Sequence, residues 1–220
     1  MQLYPGESPE TDWSLMAIAD LAEGIRVEAS GPVTVIAIDG RSGGGKTTLA
    51  RGLARELNAA LLSTDDFAWW HSLFDWTQML LENAVAPLRL GLPVEYTPDA
   101  WTERGRPGCI SARASEFVVI EGVGALQTAM REQVDVAIWV QSDAEEAKRR
   151  GLIRDLDERP DPAEAERFWN EWQTAENEFQ QAQKSWAIAD WWVCGTPDSL
   201  GLENAGEGFL AAAKHRKTAS

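Results

Sequence analysis

Gly40, Gly45, Lys46 and Thr47 occupy the fixed positions of the pattern G-x-x-x-x-G-K-[ST], within Gly40-Arg41-Ser42-Gly43-Gly44-Gly45-Lys46-Thr47-Thr48. The chemistry this spacing permits is the capture of a polyphosphate. Glycines let the backbone close tightly on an anion with several N–H groups turned inward, where a Cβ would obstruct. A helix beginning near Lys46 would add the positive end of its dipole. Lys46 would then reach the β- and γ-phosphates and the Thr47 hydroxyl would ligate Mg²⁺, with Ser42, Gly43, Gly44, Gly45 and Thr48 completing the cradle. The expected cofactors are ATP and Mg²⁺.

Moving a phosphoryl group also needs a base, a metal ligand and cations for the migrating charge. Asp65 follows the short run Ala60-Leu61-Leu62-Ser63-Thr64 directly and is the expected general base. The alternative is that Asp65 or Asp66 merely caps a helix starting near Phe67. Glu121 ends the apolar run Phe117-Val118-Val119-Ile120 and is expected at the metal with Thr47. Asp39, just before the loop, is expected to tie down Ser42 or the sheet edge. Arg150 and Arg154 lie four residues apart and share a helix face. With Arg149 they are expected to form a lid over about 145–165, with residues 158–162 as its hinge or tip. The plain alternative is surface pairing of Glu145 with Arg149 and Glu146 with Arg150.

Alternating strands and helices must hold these groups. Val33 to Asp39 reads as a buried strand, and Leu49, Ala50, Leu53, Ala54 and Leu57 recur at helical spacing after the loop. Residues 1–12 read as a loosely ordered arm, and Trp13 to Ile25 as an amphipathic helix ended by Gly31-Pro32. Trp76 to Leu90 predicts a helix up to Pro87. Ser142 is the expected N-cap of a helix over about 143–157, with Glu145 in capping-box position. Phe168, Trp172, Ala175, Phe179, Ala182 and Trp186 predict a long helix from Ala163 to Trp186. A strand over Val134 to Val140 and a short one over Ala189 to Val193 follow the same logic. Phe209 to Ala213 reads as a final helical turn, and Lys214-His215-Arg216-Lys217 as a solvated end. The pattern predicts an α/β chain: a three-layer α/β/α P-loop NTPase fold with a mostly parallel five-stranded sheet and a helical lid, one domain over 1–220. Ligands of such sheets lie beyond the carboxyl ends of the strands, so Asp39, Asp65 and Glu121 should converge on the loop.

The formal net charge of −15 over 220 residues argues against a general nucleic-acid binder, because such a surface repels phosphate backbones. Cys109 and Cys194 have no neighbouring Cys or His and read as reduced thiols of a cytoplasmic protein. There is no apolar run of membrane-spanning length, and Glu7 and Glu10 without a basic region do not make a signal peptide. The expected partner is a small-molecule acceptor, with no nucleic acid and no membrane, in a monomer or homodimer. Most of the 11 tryptophans should be core, with a minority forming a stacking wall for a base or sugar.

Ile36 to Thr48, Leu62-Ser63-Thr64-Asp65-Asp66-Phe67, Val119-Ile120-Glu121-Gly122 and Arg149-Arg150 to Arg154-Asp155 together resemble the uridine kinase/phosphoribulokinase family. The matches follow the family's order and cover about half of the chain. The resemblance implies that Asp65 accepts the acceptor hydroxyl's proton, that Glu121 is the strand-end acid near Mg²⁺, and that Arg154 is a lid arginine. Ala68-Trp69-Trp70 stands where uridine kinases carry a Tyr after the Phe, and the family's nucleoside-contacting set is not recognisable in Tyr96 to Arg104.

The expected activity is ATP-dependent transfer of the γ-phosphoryl to a hydroxyl of a small molecule, with Lys46, Asp65, Arg150 and Arg154 as the catalytic set. Acceptor contacts are expected from residues 66–106, among Asp66, Trp69, Trp70, Tyr96, Asp99, Trp101, Arg104 and Arg106. The alternatives are a phosphorylated acceptor such as a nucleoside monophosphate, held by Arg89, Arg104 and Arg106, or an ATP-binding regulatory module without transfer.

Overall fold

Thr34–Gly40 is buried at every position, as a run of β-branched and apolar residues must be when both faces of its sheet are covered. The computed structural model describes residues 1–156, 160–201 and 209–214. Its strands are β1 (Ser14–Ala17), β2 (Thr34–Gly40), β3 (Ala60–Ser63), β4 (Val94–Tyr96), β5 (Ile110–Ala112), β6 (Phe117–Glu121), β7 (Val136–Gln141), β8 (Trp191–Cys194) and β9 (Phe209–Lys214). The helices are α1 (Ile18–Glu28), α2 (Lys46–Glu56), α3 (Thr64–Ala68), α4 (Thr77–Leu80), α5 (Ala86–Arg89), α6 (Asp99–Glu103), α7 (Ala144–Asp155) and α8 (Pro162–Gln183).

Seven strands form one sheet in the order β1-β9-β8-β7-β2-β6-β3, and β4 with β5 forms a separate two-stranded sheet. The five strands from β8 to β3 are all parallel. Along β2 successive side chains point to opposite faces: Val35 and Ala37 join one core, Ile36 and Ile38 the other. Leu21, Ile25, Leu49 and Leu53 of α1 and α2 cover the second face. Leu80 and Leu88, with Phe67, Trp76 and Trp101, cover the first. The result is the expected three-layer fold with five parallel strands.

Two further strands of the main sheet, and the separate β4–β5 pair, were not expected. β9 pairs antiparallel with β8, and β1 antiparallel with β9, so Phe209–Lys214 is a strand and not a helical turn. Its Leu-Ala-Ala-Ala stretch favours helix locally, but burial against the sheet overrides that preference. Likewise the segment read as one helix from Trp13 is strand β1 followed by α1. The arm before it is docked: Tyr4 and Glu7 are buried, and Glu7 accepts from Trp139 Nε1 at 2.7 Å and Gln141 Nε2 at 2.9 Å.

Three helix boundaries also differ. Helical backbone continues past Pro87 to Arg89, because a π-helical turn over Leu81–Val85 accommodates the missing proline N–H. Asp143, not Ser142, caps α7, accepting from the amides of Glu145 and Glu146. The long helix stops at Gln183, where Lys184 turns left-handed at φ 49°. Residues 157–159 of the expected lid, of which 158 and 159 belong to its expected hinge or tip, and His215-Arg216-Lys217 of the basic tail lie outside the described residues. The remaining tail residue, Lys214, pairs with Glu28 at 2.6 Å.

Helix α7 reaches α8 through Gly151, where an added Cβ would overlap the buried ring of Trp169. Gly151→Ala is expected to cost about 1–3 kcal/mol by overpacking, lowering Tm by about 2–4 °C per kcal/mol in a thermal melt.

Candidate active site

The loop between β2 and α2 starts inside the sheet. Gly40 is registered against Val140, and its φ of 146° and the approach of the Val140 carbonyl leave no room for a Cβ. Gly45 precedes α2 at φ 99°, so the chain turns straight into the helix amino terminus. Lys46 Nζ donates to the carbonyls of Gly40 and Arg41, both at 2.9 Å, leaving the third ammonium N–H for an anion.

Ser42, Gly43, Gly44, Gly45, Lys46, Thr47 and Thr48 line a cleft of about 270 Å³, and Asp65, Glu121, Gly122, Val123, Arg150, Gly151 and Arg154 complete its wall. Asp65 comes from α3, immediately after β3, and Glu121 ends β6. Those two expected acids therefore meet at the loop. Thr47 Oγ1 donates to Glu121 Oε1 at 3.2 Å, so two oxygen donors suited to a hard cation stand together. Burial pushes the Glu121 carboxyl above its ordinary range; Lys46 opposes that shift and Asp65 adds to it.

Asp39 does not enter the cleft. It is fully buried and accepts from the amides of Gly40, Gly124 and Leu126 and from Gln180 Nε2 at 2.7–3.1 Å. It holds neither Ser42 nor a sheet edge. Burial raises its carboxyl, against the pull of those amides and of Lys46.

Arg150 and Arg154, the arginines expected in a lid, both line the cleft from α7, and both are tethered. Arg150 donates to Glu146 and to the Gly195 carbonyl, each at 2.7 Å, while Arg154 bonds Asp155. Arg149 is exposed and pairs with Glu146, not Glu145. Held by the two arginines, the Glu146 carboxyl falls to about 2.

Beside the cleft, the tryptophan-rich segment gathers most of its candidates. The Arg106 guanidinium lies 3.6 Å from the Trp101 ring centre and 4.2 Å from that of Trp69, and contacts Asp66 Oδ1 at 3.3 Å. Trp101 Nε1 donates to the Asp66 carbonyl at 3.2 Å, and Arg104 sits 5.7 Å from the Trp70 ring centre. Trp69 and Trp70 are exposed. Burial raises the Asp66 carboxyl, with Arg106 opposing the shift. Tyr96 stands apart, stacked on Phe67 at 6.2 Å. Arg89 is removed from this cluster: it donates to the carbonyls of Val33 and Gln133 and pairs with Asp135 at 2.9 Å. Val33 precedes β2, so this arginine braces the sheet at the end opposite the loop.

Sequence reasoning missed Gly122, Val123 and Gly151 in the wall and the contacts of Tyr4, Trp172 and Glu176 with the loop. Adjacency to Glu121 and Arg150 signals the first three. Trp172 and Glu176 reach the loop across more than a hundred residues and Tyr4 reaches Arg41 from the amino-terminal arm, so none of the three leaves a local mark.

No family model matches the chain. The uridine kinase of Staphylococcus carnosus (strain TM300) is 28% identical over 175 residues, spanning 70% of this chain and 84% of that protein. The uridine kinase of Staphylococcus epidermidis (strain ATCC 12228) is 30% identical over 145 residues, spanning 57% of this chain and 70% of that one. A solved structure described as a possible uridine kinase from Bacillus stearothermophilus shares the fold, with a TM-score of 0.53, 20% identity, and coverage of 79% of this chain and 95% of that chain. A parallel sheet carrying this loop, together with these relatives, defines a P-loop kinase. The chain belongs to the uridine kinase/phosphoribulokinase-like family.

The raised Glu121 carboxyl sets a pH test. Its charged form is penalised in the fold, so that penalty is absent at low pH and grows as pH rises through the raised value. Glu121→Gln should therefore melt higher than wild type at pH 8, with the gap closing as the medium is acidified, in melts without nucleotide.

Proposed function

We propose that the protein transfers the γ-phosphoryl of ATP to a hydroxyl of a small molecule, in the manner of a uridine kinase. What supports this is the convergence of Lys46, Thr47, Asp65, Glu121, Arg150 and Arg154 on one cleft. Phosphoryl transfer is mostly positioning and electrostatic stabilisation, and these are the groups it requires.

The loop amides and Lys46 bind and orient the polyphosphate. Thr47 and Glu121 fit Mg²⁺ as hydroxyl and carboxylate ligands. Among the described residues no cluster of three or more His, Cys, Asp or Glu could hold a metal, so phosphate oxygens would supply further ligands. When bound, the ion neutralises charge on the transferring group. Asp65 takes the acceptor hydroxyl's proton as general base. Arg150 and Arg154 leave their carboxylate partners to meet the phosphates and screen the cleft from water. Asp66, Trp69, Trp70, Trp101 and Arg104, with Arg106, form the acceptor wall, where the exposed indoles of Trp69 and Trp70 suit a planar ring and the Asp66–Arg106 pair suits its polar edge.

A phosphorylated acceptor is the second reading. Arg104 and Arg106 favour it, since the Arg106 Nη1 is buried without a partner among the described residues. Comparing a nucleoside with its monophosphate as acceptor separates the two.

Asp65→Asn should lower kcat by about 10²-fold or more while leaving the KM for ATP near wild type. A wild-type kcat in this variant, with ADP release coupled to acceptor, would remove Asp65 from the base role.

A further inference from the structure

A turn with glycine at 40, 43, 44 and 45 is costly to order, because glycine loses more backbone freedom than any other residue. Its two handles before Lys46 are Arg41 and Ser42, and both are gripped from outside the loop. Glu176 Oε1 accepts the Ser42 amide at 2.8 Å, and Trp172 Nε1 donates to Ser42 Oγ at 2.7 Å. Arg41 lies 3.8 Å from the Tyr4 ring centre and donates to Asn177 Oδ1 at 3.4 Å. Tyr4 in turn donates its hydroxyl to Glu176 Oε1 at 2.6 Å.

The grip has independent anchors. Trp172, Glu176 and Gln180 recur every four residues on one face of α8, and Gln180 bonds Asp39 under the loop. Tyr4 stacks on Trp186 with ring centres 5.9 Å apart, and its amide bonds Glu7, which is itself held by β7. Glu176 is buried, and its Oε2 has no partner among the described residues. A carboxylate is a costly choice for mere packing at such a place, beside a site for anions.

We propose that Glu176 is a positioning residue of the phosphate loop: oriented by Tyr4, it holds the Ser42 amide and pre-organises the glycine-rich turn for the polyphosphate. This rests on the loop taking ATP, as proposed above. The pre-organisation lowers the ordering cost of binding and acts on nucleotide affinity before any chemistry.

The test is calorimetric titration of the full chain with a non-hydrolysable ATP analogue and Mg²⁺, alongside thermal melts. Glu176→Ala should weaken binding about tenfold or more, the worth of a hydrogen bond to a charged group. Glu176→Gln, whose amide oxygen accepts both bonds, should stay within about threefold of wild type, and Tyr4→Phe should fall between the two. In steady state the loss should appear in KM for ATP and not in KM for the acceptor. Amides of residues 40–48 should also exchange faster in nucleotide-free Glu176→Ala.

Folded Glu176→Ala with wild-type or tighter affinity overturns the inference. If that variant does not fold, wild-type affinity in Tyr4→Phe overturns it. Failure of the wild-type chain to bind the analogue, or binding undiminished by Lys46→Ala, defeats the reading of the loop itself and this inference with it.

Discussion

A single fully buried carboxylate, that of Asp39, is the constraint on which the site depends. A charge in a protein interior is tolerable only when its lone pairs are met, and here three backbone amides and one side-chain amide meet them. The four donors serve three different requirements of the site. Gly40 opens the phosphate loop, Gly124 and Leu126 follow the strand that ends in Glu121, and Gln180 belongs to α8. The acid thus fixes the separation between the loop, the strand that ends in Glu121 and the long helix. Lys46, the first residue of α2, opposes the upward push of burial on this carboxyl.

Around that point the two faces of the sheet divide the work. Helix α2 carries the cradle and packs with α1 on one side. On the other, Phe67, Trp76 and Trp101 anchor the tryptophan-rich segment to the same strands. Helix α8 runs past both: Trp172 touches Ser42 and lies 5.8 Å from Phe74, whose ring stacks on Phe179 at 3.9 Å. In a protein with a net charge of −15, a few cations stand at the phosphate loop, and those on α7 are paired with Glu146 and Asp155.

The parallel core and the loop were legible because their signals are local. Strand β2 is apolar at nearly every position, and the motif has fixed spacing. Asp65 and Glu121 were legible for a topological reason: the carboxyl ends of parallel strands meet at one edge. The edge strand β1 and its neighbour β9 were not, since short alanine-containing runs carry helical propensity and become strands only when a neighbour supplies the hydrogen bonds. The docked arm was hidden for the same reason. Nothing near Tyr4 or Glu7 tells that Trp139 and Glu176, more than a hundred residues away, complete their hydrogen bonds. Arg89 misled because an arginine bracing backbone carbonyls has the same local appearance as one awaiting a phosphate.

The small β4–β5 sheet stands outside the seven-stranded one, and this has an evolutionary consequence. The segment's buried anchors share the main core, whereas Trp69, Trp70 and Arg104 project from it and bear little packing load. Selection can rewrite those outward residues without refolding the phosphate machinery. Divergence among relatives should then accumulate at the rim of this segment while its buried aromatics stay put.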